Sequence, residues 1–220
     1  MTSRIVMLKP LLKKAIPLLA MIPLLGSCSL FQPQTKTIEY DEQVKLHNGE
    51  MIWVHITRHY KLVGGAIGDP GWRESTYMPS AVEISWDTGF EGVGRKLVSF
   101  ENPLVIETFG DNWYLYGAGL NNSYNVENNC VRFGLLIGKY KGGCLLGIDR
   151  NGNFFQPTEN TLYQMSVNIL YPNYINDWGQ LPEPLNGKNL SWQEKINLQD
   201  SQPPKYRFIT GKQYTKEQFQ

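Results

Sequence analysis

Three cysteines and three histidines in 220 residues leave little material for metal or thiol chemistry. No G-x-S-x-G, S-x-x-K or H-E-x-x-H pattern occurs, so the common local signatures of serine hydrolases, acyl-serine enzymes and zinc proteases are missing. Gly64-Gly65-Ala66-Ile67-Gly68 lacks the Lys-Ser/Thr that completes a phosphate loop, and no cofactor is expected. No apolar run reaches the roughly 20 residues that cross a bilayer as a helix. No fixed-period repeat is present, which argues against a propeller or solenoid.

What is present begins at the N-terminus. Arg4, Lys9, Lys13 and Lys14 precede an apolar run of about 11 residues, Ala15 to Leu25, which ends in Gly26-Ser27-Cys28. Positive charge, a short apolar core and small residues are the layout of an export signal. Pro17 and Pro23 weaken the run further as a permanent membrane helix. Leu25-Gly26-Ser27-Cys28 resembles the lipobox of bacterial lipoproteins, with Gly26 where alanine or serine is commoner. The resemblance implies cleavage before Cys28 and acylation of its thiol. Three acyl chains would hold firmly, since each buried methylene contributes about 0.8 kcal/mol. Ser29 stands where an aspartate would signal inner-membrane retention in enterobacteria, so the expected address is the outer membrane, facing the periplasm, with the inner membrane as the alternative.

The expected organisation is therefore a signal over residues 1–27, a lipidated cysteine and tether over 28–37, and one domain over 38–220. Four of the 21 basic residues and none of the 20 acidic ones lie in the signal, which leaves the mature chain slightly acidic. That balance disfavours nucleic acid as a partner. Aromatic residues make up 12% of the chain, and with 21 glycines and 13 prolines they suit short strands joined by turns. Once Cys28 is acylated, Cys130 and Cys144 remain. In an oxidising compartment they read as a disulfide, worth about 3 kcal/mol for a 15-residue loop. A reactive thiol pair or half a metal site are the alternatives; no histidine lies nearby in sequence.

Ile52, Val54 and Ile56 alternate with Trp53, His55 and Thr57, so residues 51–62 read as a strand entered from a His47-Asn48-Gly49 turn. Residues 64–80 read as a long loop. Val82 to Trp86, Arg95 to Phe100, Leu104 to Phe109, Trp113 to Gly117, Val131 to Ile137 and Cys144 to Ile148 read as strands, with Asp149 to Asn153 a turn into Phe154-Phe155. Residues 159–171 fit helix or strand. Ser191-Trp192-Gln193-Glu194 matches a capping box, and Thr215 to Gln218 is a weaker copy. The sum is a mainly β domain of roughly eight to nine strands, an antiparallel sheet or sandwich, with one or two short helices.

On a strand, His55 and His59 would lie roughly 13 Å apart on one face, too far to chelate a metal. Glu83, Asp87 and Glu91 are the carboxylates considered for glycan cleavage, but Glu83 and Asp87 would stand equally far apart and solvated. Trp53, Trp86 and Trp113 are expected in the core. Trp72 and Arg73, with Tyr77, fall in the 64–80 loop, and Tyr124 in the Asn-rich 121–129 loop; these four are the expected binding residues. Met78 to Trp86 and Asp111 to Leu115 resemble segments of uncharacterised proteobacterial lipoprotein domains, some of them suspected immunity proteins. That resemblance implies a non-enzymatic binding module whose partner is a delivered toxin or an envelope component. The alternatives are an envelope scaffold and a glycan- or lipid-acting hydrolase.

Overall fold

The computed structural model describes residues 33–63, 76–120, 131–134, 141–170 and 183–201. The chain divides into Met1–Gln34 and a domain of Thr35–Gln220. Within the domain the strands are β1 (Thr35–Lys45), β2 (Met51–Val63), β3 (Thr76–Asp87), β4 (Arg95–Phe109), β5 (Asn112–Leu120), β6 (Val131–Gly134), β7 (Lys141–Ile148), β8 (Phe154–Phe155) and β9 (Asn189–Leu190). Two short helices, α1 (Glu159–Leu162) and α2 (Trp192–Asp200), and a 3-10 turn at Glu183–Leu185 complete the described elements. The domain is mainly β, as its composition implies. The strands form one sheet in the order β6-β7-β5-β4-β3-β2-β1-β9, with β8 on β7. Every pairing is antiparallel except the two-residue contact of β9 with β1.

One strand divides this sheet into two limbs. β4 pairs with β3 only over Arg95–Phe100 and with β5 from Phe100 to Phe109. The inward residues of both limbs enter a single core: Val54, Ile56, Ile84 and Trp86 from one, Ile106, Leu115, Leu146 and Ile148 from the other. Trp86 and Trp113 meet edge to face at 5.7 Å, and Trp113 Nε1 donates to the Thr88 carbonyl at 2.9 Å. A smaller cluster on the opposite face of the second limb gathers Val105, Tyr114, Tyr116 and Leu145 under Leu162 and Met165.

Several boundaries differ from the sequence expectation. β1 begins at Thr35, so residues 35–37 of the expected tether are strand, paired with Lys61, Tyr60 and His59. Their polar side chains hide the alternation. β3 begins at Thr76, so residues 76–80 are not loop. A bulge between His59 and Tyr60 leaves Ser80 as the extra residue, and its hydroxyl donates to the His59 carbonyl. A bulge shifts the side-chain phase by one residue, which erases a period-two pattern. The two strands expected around residues 101–103 are one strand, β4. There Leu104 is the bulged residue, and its carbonyl accepts from the backbone N–H groups of Asn168 and Ile169 at 3.1 Å.

Of the ambiguous 159–171 stretch, residues 159–170 resolve into α1 and a run pinned beside β4. Asn168 performs the pinning: its Oδ1 accepts from Ile106 N at 3.0 Å, and its Nδ2 donates to the carbonyls of Ile106 and Lys45. α2 starts with the expected capping box between Ser191 and Glu194. Its buried residues are Lys195 and Gln199 rather than an apolar stripe. Lys195 and Glu42 are both wholly buried and meet at 3.0 Å. Lys195 Nζ also donates to the carbonyls of Gln43 and Asn168, so α2, β1 and the 165–170 run are tied through one ammonium.

Candidate functional site

Of the expected site residues, Cys28, Trp72, Arg73, Tyr124 and Cys130 lie outside the described residues. Cys144 is disulfide-bonded. Tyr77 belongs to β3 rather than to a loop and pairs with Leu62. It is half-buried against the core, with Lys36 Nζ 5.0 Å from the ring centroid. Packing therefore occupies much of the ring. Glu83 lies 3.7 Å from His59, and Asp87 accepts from the Gly89 N–H, so neither forms a carboxylate pair. The described residues hold no cluster of three or more metal-ligating side chains.

Trp53 corrects the expectation that the strand tryptophans are all core. Trp86 is wholly buried and Trp113 nearly so, but Trp53 is 48% exposed. Val54 and Ile56 point inward, so Trp53 at an odd position of β2 points outward. Among the described residues the other large exposed hydrophobics, Met51, Val63, Met78 and Leu97, occupy the same face. Met51 and Val63 share the odd phase of β2, Met78 pairs with the outward Lys61, and Leu97 pairs with Ser85 between the inward Ile84 and Trp86. Polar pairs fill the gaps between them. His55 meets Asp41 at 2.9 Å, and Arg95 donates to the Ser85 hydroxyl and carbonyl. Apolar anchors on a hydrogen-bonded sheet, among satisfied polar groups, have the composition of a recognition surface.

A second feature lies where the β1–β2 turn, the end of β4, the 166–168 run and the start of α2 converge. They line a cleft of about 260 Å³ that includes His47, Glu107, Ser166 and Trp192. Glu107 is 2% exposed, and its carboxylate is fully engaged. Oε2 accepts from His47 N at 2.9 Å, while Oε1 faces His47 Nδ1 at 3.0 Å and accepts from Thr108 N. The imidazole rests against Phe109, with ring centroids 4.4 Å apart. A carboxylate can only accept from Nδ1, so that nitrogen carries a proton. The sequence placed His47 only in a turn. No local pattern could reveal its partner, since 60 residues separate it from Glu107.

No family model, no curated protein and no solved structure matches this chain.

Proposed function

We propose that the chain is an exported lipoprotein, anchored to the outer membrane through Cys28, whose domain binds a protein partner with the outer face of β1–β4. The observation that carries the reading is that the exposed large hydrophobics of the described residues, Met51, Trp53, Val63, Met78 and Leu97, all stand on that one face, Met51 and Trp53 towards one end of β2 and Val63 and Met78 towards the other. Exposed apolar residues scattered over a whole surface need no explanation, but their restriction to one face of the sheet does. A folded protein is the occupant that suits a sheet face bearing both apolar anchors and interspersed charges of both signs. A toxin delivered to the periplasm is the sharpest form of that partner; the lipobox and the resemblance to suspected immunity proteins support it. An envelope component is the other.

The test uses the full chain with a C-terminal tag, purified from membranes in detergent. It is applied to envelope and secreted fractions of the source cells. The expected result is one partner near one-to-one stoichiometry, lost on Trp53→Ala with Leu97→Ala while the melting temperature is retained. Binding that survives both changes removes this face from the reading, and the absence of any partner removes the reading itself. Cys28→Ala should move the protein from the membrane to the soluble fraction.

A further inference from the structure

We propose that the end of the sheet where β1 begins, β2 ends and β3 begins sits on the phospholipid headgroups of the membrane that holds Cys28. Val63 and Met78 make the apolar contacts there, and Lys36 and Lys61 the charged ones. The inference rests on the lipid-anchor reading of Cys28, and it divides the outer face between two occupants. The exposed hydrophobics stand at two levels along β2. Val63 is 51% exposed at the last position of the strand, and Met78, 40% exposed, pairs with Lys61 just before it. Trp53 lies ten residues back from Val63, about 33 Å along the strand at 3.3 Å per residue. Met51 is beyond it, and Leu97 stands in the row of Ser85 and His55, close to the Trp53 level.

The length of the tether decides which level meets the bilayer. Only residues 29–34 separate Cys28 from Thr35, where β1 begins opposite Lys61. The seven Cα steps from Cys28 to Thr35 reach at most about 25 Å when stretched, and about 15 Å when relaxed. Acyl chains in the bilayer fix Cys28 at the headgroups, so Thr35 and the strand ends paired with it are held close to that surface. Of the described strands, only β1, β2 and β3 are paired at this level, because β4 pairs with β3 no further than Val82. With the strands upright, Trp53 and Leu97 stand clear of the lipid and are left to the protein partner.

Charge separates the two levels as well. The paired ends Thr35–Ile38, His59–Val63 and Thr76–Ser80 contain Lys36, His59 and Lys61 and no acidic residue. Lys61 is exposed on the outer face. Lys36 takes the opposite phase, that of the buried Ile38, with its Nζ 5.0 Å from the ring centroid of the half-buried Tyr77. A lysine thus flanks the tip on each side, which suits end-on contact with anionic headgroups, while tyrosine is at home at that depth. Glu39, Asp41, Glu83 and Asp87 all lie on the outer face beyond this end. Laying the whole face flat would press four carboxylates against phosphate, so the sheet meets the bilayer by its end.

The test uses the full lipidated protein in vesicles of phosphatidylethanolamine and phosphatidylglycerol, with intact mass confirming the acyl chains. An environment-sensitive dye is attached in turn through Val63→Cys, Met78→Cys and Trp53→Cys, and brominated lipids serve as the short-range quencher. Quenching at positions 63 and 78 is expected to be at least threefold stronger than at 53. Lys36→Glu with Lys61→Glu should cut it at least twofold, with melting temperature and flotation with the vesicles retained. A protein that floats with the vesicles but shows no stronger quenching at 63 and 78 than at 53, or quenching indifferent to the lysine reversal, overturns the inference and leaves the anchor standing. A chain that carries no acyl group and stays in solution removes the anchor reading, and this inference with it. Dyes at 63 and 78 that stay unquenched on vesicles but respond to a bound protein would give this end to that partner instead.

Discussion

Replacing Lys195 by methionine tests the account of how α2 is held. Lys195 is wholly buried and donates to Glu42 Oε1 at 3.0 Å, the Gln43 carbonyl at 2.8 Å and the Asn168 carbonyl at 2.6 Å. Burial pulls its ammonium below the usual lysine range, and the adjacent Glu42 carboxylate pushes back. Glu42 Oε1 also accepts from Leu170 N, while Oε2 has no hydrogen-bond partner among the described residues. Lys195→Met therefore leaves a buried carboxylate with one hydrogen bond and removes the donor to two carbonyls. Breaking a buried pair costs about 3–5 kcal/mol. At about 2–4 °C per kcal/mol for a domain of this size, the melting temperature should fall by roughly 6–20 °C. Far-UV circular dichroism on the oxidised protein would follow the loss. Glu42→Leu alone leaves the ammonium unpaired, but the double variant removes both members of this pair, while the buried Arg58 guanidinium, which also feels Glu42, stays charged. The two costs should therefore fall short of additivity, with the double variant more stable than their sum by at least about 2 kcal/mol. A Lys195→Met variant within about 1 kcal/mol of the parent, or strictly additive costs, would refute the reasoning.

Three further outcomes are expected. Ser191→Ala removes both the acceptor for Glu194 N and the hydroxyl bonded to the Glu194 carboxylate, and urea unfolding should show a loss of about 1 kcal/mol. Gly117→Ala would place a Cβ 2.5 Å from the Asn102 carbonyl oxygen and 2.8 Å from Pro103 Cα, both backbone. Since neither can swing aside, a loss of about 1–3 kcal/mol is expected in the same assay. Burial raises the hydroxyl pKa of Tyr40 and Tyr116 above the ordinary tyrosine value. The unfolded chain then releases these protons first. Their contribution is complete below about pH 10 and is lost as pH rises towards their folded pKa values. Melting temperature should accordingly drop above about pH 10, with two tyrosines ionising late at 295 nm.

The sequence made legible those parts of the fold that follow from local periodicity. β2 shows it most clearly: Val54 and Ile56 alternate with exposed or half-buried neighbours, and the strand contains them where the pattern placed them. The α2 start was readable because a capping box is a contact between residues three apart. Tyr77 and the junction around Pro103 were misread because bulges at Ser80 and Leu104 reset the phase, and a bulge arises from the partner strand's register rather than from its own residues. Trp53 was misassigned for a related reason. Alternation shows that Trp53 and Val54 face opposite ways, but not which face another layer covers.

By itself, the chain determined the export signal expectation around Cys28, the β-rich character and the turn at His47 to Gly49. Each depends on neighbours within a few residues, whose steric and hydrogen-bonding preferences act before any long-range contact forms. Only the tertiary structure decided that Lys195 would meet Glu42 across 153 positions, and that His47 would meet Glu107 across 60. It also decided that five exposed hydrophobics would share one face. Such meetings follow from sheet register and from the passage of β4 between two limbs. Register is set cooperatively by burial over the whole sheet, so no window along the chain contains it.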